Sequence, residues 1–114
     1  MEIQGETYRI AYDATTAVII FQGSLRLHEG PEYQSLMKLF DEVAAYKPET
    51  ITLQLRELEF LDRTGLNVVF KFVMKLRKLN KSQLVIHTNP QFSWQEKMLK
   101  NVQRLMPSVV LTNA

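Results

Sequence analysis

Four consecutive residues, Asp62, Arg63, Thr64 and Gly65, combine a carboxylate, a cation, a hydroxyl and a residue without a side chain. A threonine hydroxyl can accept a phosphoryl group, which adds about −1.5 to −2 charge and three strong hydrogen-bond acceptors. Asp62 is a favourable N-cap, because its carboxylate accepts the free N–H groups of a first helical turn. Thr64 then lies in that turn with its hydroxyl outward, where unpaired N–H donors and the helix dipole stabilise an added anion. The spacing predicts a site of reversible phosphorylation at Thr64.

The elements on either side place these residues at a junction between a strand and a helix. Residues 50–55 include the alternating run Ile51 to Leu55, which has the period of a strand. A helix is predicted over residues 64–79, because the run from Leu66 to Leu79 has helical spacing and contains no Pro or Gly.

The N-terminal half predicts a hairpin and a helix. The strands are Tyr8–Tyr12 and Ala17–Phe21 with residues 13–16 as the turn, and residues 23–30 are predicted as a loop. Pro31 opens a helix at its first position, where a missing N–H is tolerated. Its predicted buried stripe consists of Tyr33, Leu36, Met37, Phe40, Val43 and Ala44.

The C-terminal part predicts two further strands, at residues 83–87 and, as a short edge, at residues 109–111. Between them a helix is predicted to start at Asn89-Pro90, with Ser93 and Glu96 as a capping pair, and to end at Pro107. The order β-β-α-β-α-β-α favours parallel pairing through right-handed crossovers, with an antiparallel opening hairpin. We expect an α/β fold, a small mixed sheet with its helices mainly on one face.

The helix over residues 64–79 has an apolar arc wider than one sheet face usually covers. Its polar arc holds Asn67, Lys71, Lys75 and Lys78. Val68, Phe72 and Leu79 widen the apolar side. Either a neighbouring helix or the C-terminus covers them, or Val68 and Phe72 belong to a partner-docking surface close to Thr64.

Composition narrows the function classes. The chain has 114 residues, enough for one domain, and a net charge of +2, too small to indicate nucleic-acid binding without a basic patch. It has no cysteine for disulfides or thiolate metal sites, and its two histidines have no adjoining acidic cluster. There is no Gly-rich phosphate loop and no Gly-x-Ser-x-Gly motif. We therefore expect no enzyme activity and no cofactor.

The N-terminus lacks a signal sequence and no apolar run reaches the ~20 residues of a membrane span, so the expectation is a cytoplasmic protein without membrane insertion.

The strand at Ile51–Leu55, together with the run from Phe60 to Leu66, resembles the STAS domain of the anti-sigma-factor antagonist family. The resemblance covers residues 7–112. In that family an apolar strand leads into Asp-Ser-Ser/Thr-Gly-Leu at a helix start. The hydroxyl residue before the glycine is phosphorylated by a partner kinase of the histidine-kinase-like fold; the matching residue is Thr64. Residues 23–25 are similar to the family's loop after the second strand, and Asn89-Pro90 to the start of its later helix.

The resemblance implies a mechanism and a set of partners. The unphosphorylated protein would bind a partner, often an anti-sigma kinase, phosphorylation would break the complex, and a PP2C-type phosphatase would reset it. The chain would be a single bacterial domain over residues 1–114, a monomer or weak dimer that regulates transcription without catalysis of its own. Its docking face would consist of Leu25, Arg26, Arg63, Val68 and Phe72, with Gly65 allowing a partner backbone or nucleotide to approach closely.

Three positions depart from the family pattern. Arg63 replaces the usual Ser, and Arg26 and Gln54 replace residues that are commonly Asp. Because a guanidinium can pair with phosphate bidentately, Arg26 or Arg63 is one candidate for holding phospho-Thr64. Two other interpretations stay open: a different partner, or a loss of phosphorylation. A non-phosphorylated STAS-type subunit of a lipid-transport or other membrane-associated complex is the alternative function.

Overall fold

A single mixed sheet forms the centre of the molecule in the computed structural model, which describes residues 1–27 and 31–113. Its strands are β1 (Glu2–Gln4), β2 (Tyr8–Asp13), β3 (Val18–Leu25), β4 (Thr50–Leu61), β5 (Gln83–His87) and β6 (Val110–Thr112). The helices are α1 (Pro31–Ala45), α2 (Arg63–Leu79) and α3 (Ser93–Leu105). The strands lie side by side in chain order. The first three are antiparallel, and β3 to β6 are parallel.

The helices pack on one face of this sheet, as predicted. Each of the three follows one parallel strand and precedes the next. Along the strands, alternate side chains such as Ile19, Leu53 and Ile86 are buried, whereas Ile20 and Val85 on the opposite face are partly exposed. Between the helices, Phe40 of α1 stacks on Phe72 of α2 with ring centroids 4.2 Å apart. The core therefore lies between one sheet face and the helix layer.

Strand β4 is longer than predicted, because it reaches Leu61 rather than ending at Leu55. Its register against β3 shifts twice: β4 advances three residues from Gln54 to Glu57 while β3 advances two, and a second shift follows Leu58. Such β-bulges break the two-residue alternation that marks a strand in a sequence. The bulged end of β4 carries the chain directly to Asp62.

Strand β3 is also longer than predicted, because residues 23–25 of the predicted loop belong to it. Gly23 has φ 87°, and a Cβ at this position would lie 2.2 Å from the Thr7 carbonyl oxygen. Only glycine fits this close approach of two strands. Residues 28–30 of the predicted loop lie outside the described residues.

The predicted helix start at Asn89-Pro90 is wrong. The Asn89 side chain accepts a hydrogen bond from the Gln91 N–H at 2.9 Å, an Asx turn that competes with helix. Helix α3 begins at Ser93, and its N-cap Phe92 makes no side-chain capping bond, so the predicted Ser93–Glu96 capping pair is wrong as well. Two smaller differences are β1, which was not predicted, and β6, which is shifted by one residue.

The side chain of Gln95 joins α3 to the bulged part of β4 by hydrogen bonds. Its side chain is 1% exposed, and its Nε2 donates to the carbonyl oxygens of Leu55 at 2.8 Å and Leu58 at 3.2 Å. Its Oε1 accepts the Asn89 N–H at 2.8 Å, while Asn89 Nδ2 donates to the Arg56 carbonyl at 2.9 Å. Two carbonyl groups of β4 beyond the end of its pairing with β5 at Gln54 thus find a donor in one buried amide.

We expect Gln95→Leu to lower the free energy of unfolding by about 2–3 kcal/mol, because it leaves buried backbone groups without partners. Urea unfolding followed by circular dichroism measures this. The control is Gln103→Leu, at an exposed position of the same helix, with an expected change within about 0.5 kcal/mol. Equal losses in the two variants would contradict the role given to Gln95.

Candidate functional site

The site lies where the two central parallel strands end together. Leu25 of β3 is opposite Leu61 of β4. The Asp62 N–H donates to the Leu25 carbonyl at 3.0 Å. Helix α2 starts at the next residue. In open α/β sheets the carboxyl ends of parallel strands are the usual place for binding sites, so the topology puts Thr64 at an edge suited to recognition.

Asp62 caps α2, as predicted. Its backbone is extended, with φ −75° and ψ 173°, and its Oδ1 accepts the Gly65 N–H at 2.8 Å. Its carbonyl accepts the Leu66 N–H at 2.9 Å, the first bond of the helix. The cap fixes the direction in which the first turn leaves the sheet, and with it the position of Thr64.

Thr64 is partly buried and lines a surface pocket of about 290 Å³ between α1 and α2. The described residues that share this pocket are Tyr33 and Gln34 of α1 and Asn67 and Lys71 of α2. These neighbours are hydrogen-bonding or cationic, and none of them is acidic. The surroundings of the hydroxyl can therefore accommodate negative charge.

The structure gives Gly65 a different role from the predicted one. Gly65 is buried, and a Cβ there would lie 2.3 Å from Leu61 Cδ1 and 3.2 Å from Asp62 Oδ1. The glycine lets the first turn pack against the end of β4. Because it faces the interior, its missing side chain opens no surface for a partner.

Three of the predicted docking residues are in the core. Val68 and Phe72 are 2% and 3% exposed, and Leu25 is completely buried. Helix α1 covers α2 here, with Phe40 against Phe72. The prediction that these side chains line a docking surface is wrong, and the alternative of a covering helix is confirmed for Val68 and Phe72. The predicted polar arc, Asn67 with its three lysines, is exposed.

The two arginines stay on the surface, but neither lines the Thr64 pocket. The Arg26 guanidinium lies 4.2 Å from the centroid of the Phe60 ring, a cation–π contact that holds the side chain against β4. Gln54 lines a separate pocket with Arg56 and Glu57. The strand-end surface thus contains Arg26, Arg63 and Thr64, and Gln54 is not part of it.

Acidic residues are concentrated in the first half of the chain and basic residues in the second, a distribution that the sequence-based predictions did not use. Residues 1–62 contain 11 acidic and 5 basic side chains, whereas residues 63–114 contain 1 acidic and 9 basic ones. Helix α2 has five cations and no carboxylate. This uneven distribution can be read from the sequence, because no Asp or Glu occurs between Asp62 and Glu96. The surface that begins at Thr64 is therefore basic.

Two features, a metal-binding group and a membrane-spanning helix, are absent from the described part of the chain. No group of three His, Cys, Asp or Glu side chains could hold a metal ion there. No described helix is long and apolar enough to cross a membrane.

The sheet order and the capped helix at the strand ends match the fold of an anti-sigma factor antagonist, which confirms the predicted fold class. No family model and no curated protein matches the sequence. Among solved structures, the SiaC-type chain in the complex of the diguanylate cyclase SiaD with its activator SiaC, from Pseudomonas aeruginosa, has a TM-score of 0.73 at 13% identity, over 98% of each chain. An anti-sigma factor antagonist from Mycobacterium paratuberculosis has a TM-score of 0.63 at 18% identity, over 97% of this chain and 90% of that one. At these identities the likeness shows the fold.

Proposed function

We propose that this chain is a non-enzymatic regulator that binds a protein partner and is switched by phosphorylation of Thr64. The observation that carries the proposal is the position of Thr64: in the first turn of a capped helix, at the carboxyl ends of the two central strands. The fold supports it, since the two similar structures described above are named as proteins that act on other proteins. In this proposal the chain is one domain over residues 1–114 in the bacterial cytoplasm, and it is a monomer or weak dimer until it binds its partner.

The docking surface in this proposal consists of exposed polar residues around Thr64. Arg26 and Arg63 lie at the strand ends, and Asn67 and Lys71 continue the surface along α2. The helix supplies only positive formal charges. Charge complementarity then favours an acidic surface on the partner, which would be steered toward this face.

The switch follows from the charge change. A kinase partner of the histidine-kinase-like fold would transfer the γ-phosphoryl group of ATP to Thr64 Oγ1, releasing ADP and the hydroxyl proton. The new dianion is stabilised locally by the first-turn amides and by the basic helix, so the fold is retained. It is expensive to desolvate against an acidic partner, so the complex separates. A PP2C-type phosphatase would restore the hydroxyl by hydrolysis.

The more extensive likeness to the SiaC-type chain favours a second form of the same function. That chain matches end to end with the higher TM-score, and SiaC is named as an activator of an enzyme. The regulated partner of this chain would then be an enzyme instead of an anti-sigma factor. The same surface and the same switch serve both forms.

Intact mass spectrometry of the protein purified from its native host tests the proposal, with wild type beside Thr64→Ala. We expect a phosphate-sized mass increment in the wild type and its loss in the variant. Thr16→Ala, at an exposed hairpin position, is the matched control and retains the increment. A wild-type protein that stays unmodified through growth and stress would refute the switch and favour a constitutive subunit of a membrane-associated complex.

A further inference from the structure

The pocket beside Thr64 has the composition of a receptor for a tetrahedral anion. It is a surface concavity between two helices, and Tyr33, Gln34, Asn67 and Lys71 line it beside Thr64. The side chains of these four residues carry one hydroxyl, two amides and one ammonium group. Hydroxyl and amide groups can donate hydrogen bonds, and the ammonium group adds a charge. No acidic side chain is among the described lining residues, so none of these residues repels a dianion.

Lys71 is placed to act as the counter-ion. It lies seven residues after Thr64 on the same side of α2, about 10 Å along the helix axis. Helical side chains lean toward the N-terminus, so the Lys71 side chain extends back along α2 toward Thr64. In the described part of the chain, Lys71 forms no ion pair, whereas Lys75 in the next turn is bonded to Asp41 at 2.9 Å. The Lys71 ammonium group can therefore pair with a phosphate.

We propose that this pocket receives the phosphate of phospho-Thr64, with Lys71 as its counter-ion and Tyr33 and Gln34 as donors from α1. The inference rests on the proposed function, since it concerns the modified state of the same residue. The phosphate of phospho-Thr64 is then bound between α1 and α2, and not by Arg63 or Arg26. The cation–π contact of Arg26 with Phe60 agrees with this assignment, because it already holds that guanidinium elsewhere.

Capture in the pocket has a regulatory consequence. A phosphate held by side chains of both helices links α1 to α2, so the switched-off state is stabilised within the chain itself. A phosphate drawn toward Lys71 is also less accessible to a phosphatase. Loss of Lys71 is therefore expected to speed dephosphorylation without preventing phosphorylation.

The test uses full-length protein with phosphothreonine installed at position 64 during translation, so it does not depend on any kinase. Titration followed by ³¹P NMR gives the pKa of the phosphate, ordinarily about 6, in wild type, Lys71→Gln and Lys78→Gln. Lys78 is the matched control, because it is exposed on the same helix but outside the pocket. Asp62 and Arg63 also lie near the phosphate, and their charges are unchanged in all three proteins.

We expect Lys71→Gln to raise the pKa of the phosphate by about 0.5, because a nearby cation favours the dianion. Lys78→Gln is expected to change it by less than about 0.1, since salt screens charges at that separation. Equal pKa values of the phosphate in the two variants would overturn the proposal. Failure to find phosphate on the native protein would count against the proposed function alone, because the installed phosphate still reports on the pocket.

Discussion

Phe72→Ala is expected to lower the free energy of unfolding by about 3–5 kcal/mol. The Phe72 ring is 3% exposed and stacks on Phe40 at an interplanar angle of 11°. The substitution removes this contact and leaves a cavity between α1 and α2 that the surrounding backbone can close only in part. For a domain whose total stability is about 5–15 kcal/mol, the loss is large.

Urea unfolding followed by circular dichroism measures the effect, and Leu79→Ala is the control. Leu79 ends the same helix with 37% of its surface exposed, so its truncation is expected to cost less than about 1 kcal/mol. The comparison separates a core position from a surface one within a single helix. A stability loss for Phe72→Ala as small as that of Leu79→Ala would show that the ring is free to contact a partner.

Phosphorylation of Thr64 is expected to weaken partner binding by about 100-fold or more, on the scale of the 2–5 kcal/mol lost when a charge is left unpaired in an interface. The dianion would enter a contact in which the basic surface of α2 faces acidic groups of the partner. The partner is first identified by crosslinking from a photoreactive residue at Asn67, which is exposed beside Thr64. Calorimetry with the purified partner then compares the unmodified and phosphorylated proteins.

Phosphothreonine installed at Thr16 provides the matched control for this measurement. Thr16 is exposed and precedes β3, so the eight residues of that strand, about 26 Å, separate it from the junction at Leu25. The added charge is the same, and the expected change in affinity is under threefold. If both phosphoproteins lose affinity equally, the effect is one of net charge and Thr64 is not a switch.

Much of the site could be predicted from the sequence because it depends on short-range interactions. Asp62 caps α2 by accepting from Gly65, three residues away. The helix ends at Leu79, with Asn80 in the left-handed conformation that often terminates helices. The alternating run at Ile51–Leu55 forms the first half of β4, with its apolar side chains buried. In each case the bonding partners or the periodicity lie within a few residues, so the local sequence is sufficient.

The assignment of surface and core was decided by the tertiary structure. Val68 and Phe72 have the same apolar character whether a helix or a partner covers them, and only the packing of Phe40, 32 residues earlier, places Phe72 inside. Gly65 is needed because Leu61 occupies the space beside it. Similarly, the bulged end of β4 is held by Gln95, whose bonds span 37 and 40 residues.

By itself, then, the sequence determined the capped helix start, the position of Thr64 in its first turn and the order of strands and helices from β2 to α3. The tertiary structure decided which faces are exposed, that Thr64 shares a pocket with Lys71, and that Arg26 lies against Phe60. The physical reason is the separation along the sequence of the residues that interact. Capping and periodicity involve residues that are close neighbours along the chain. Burial and charge proximity depend on which distant segments the fold brings together.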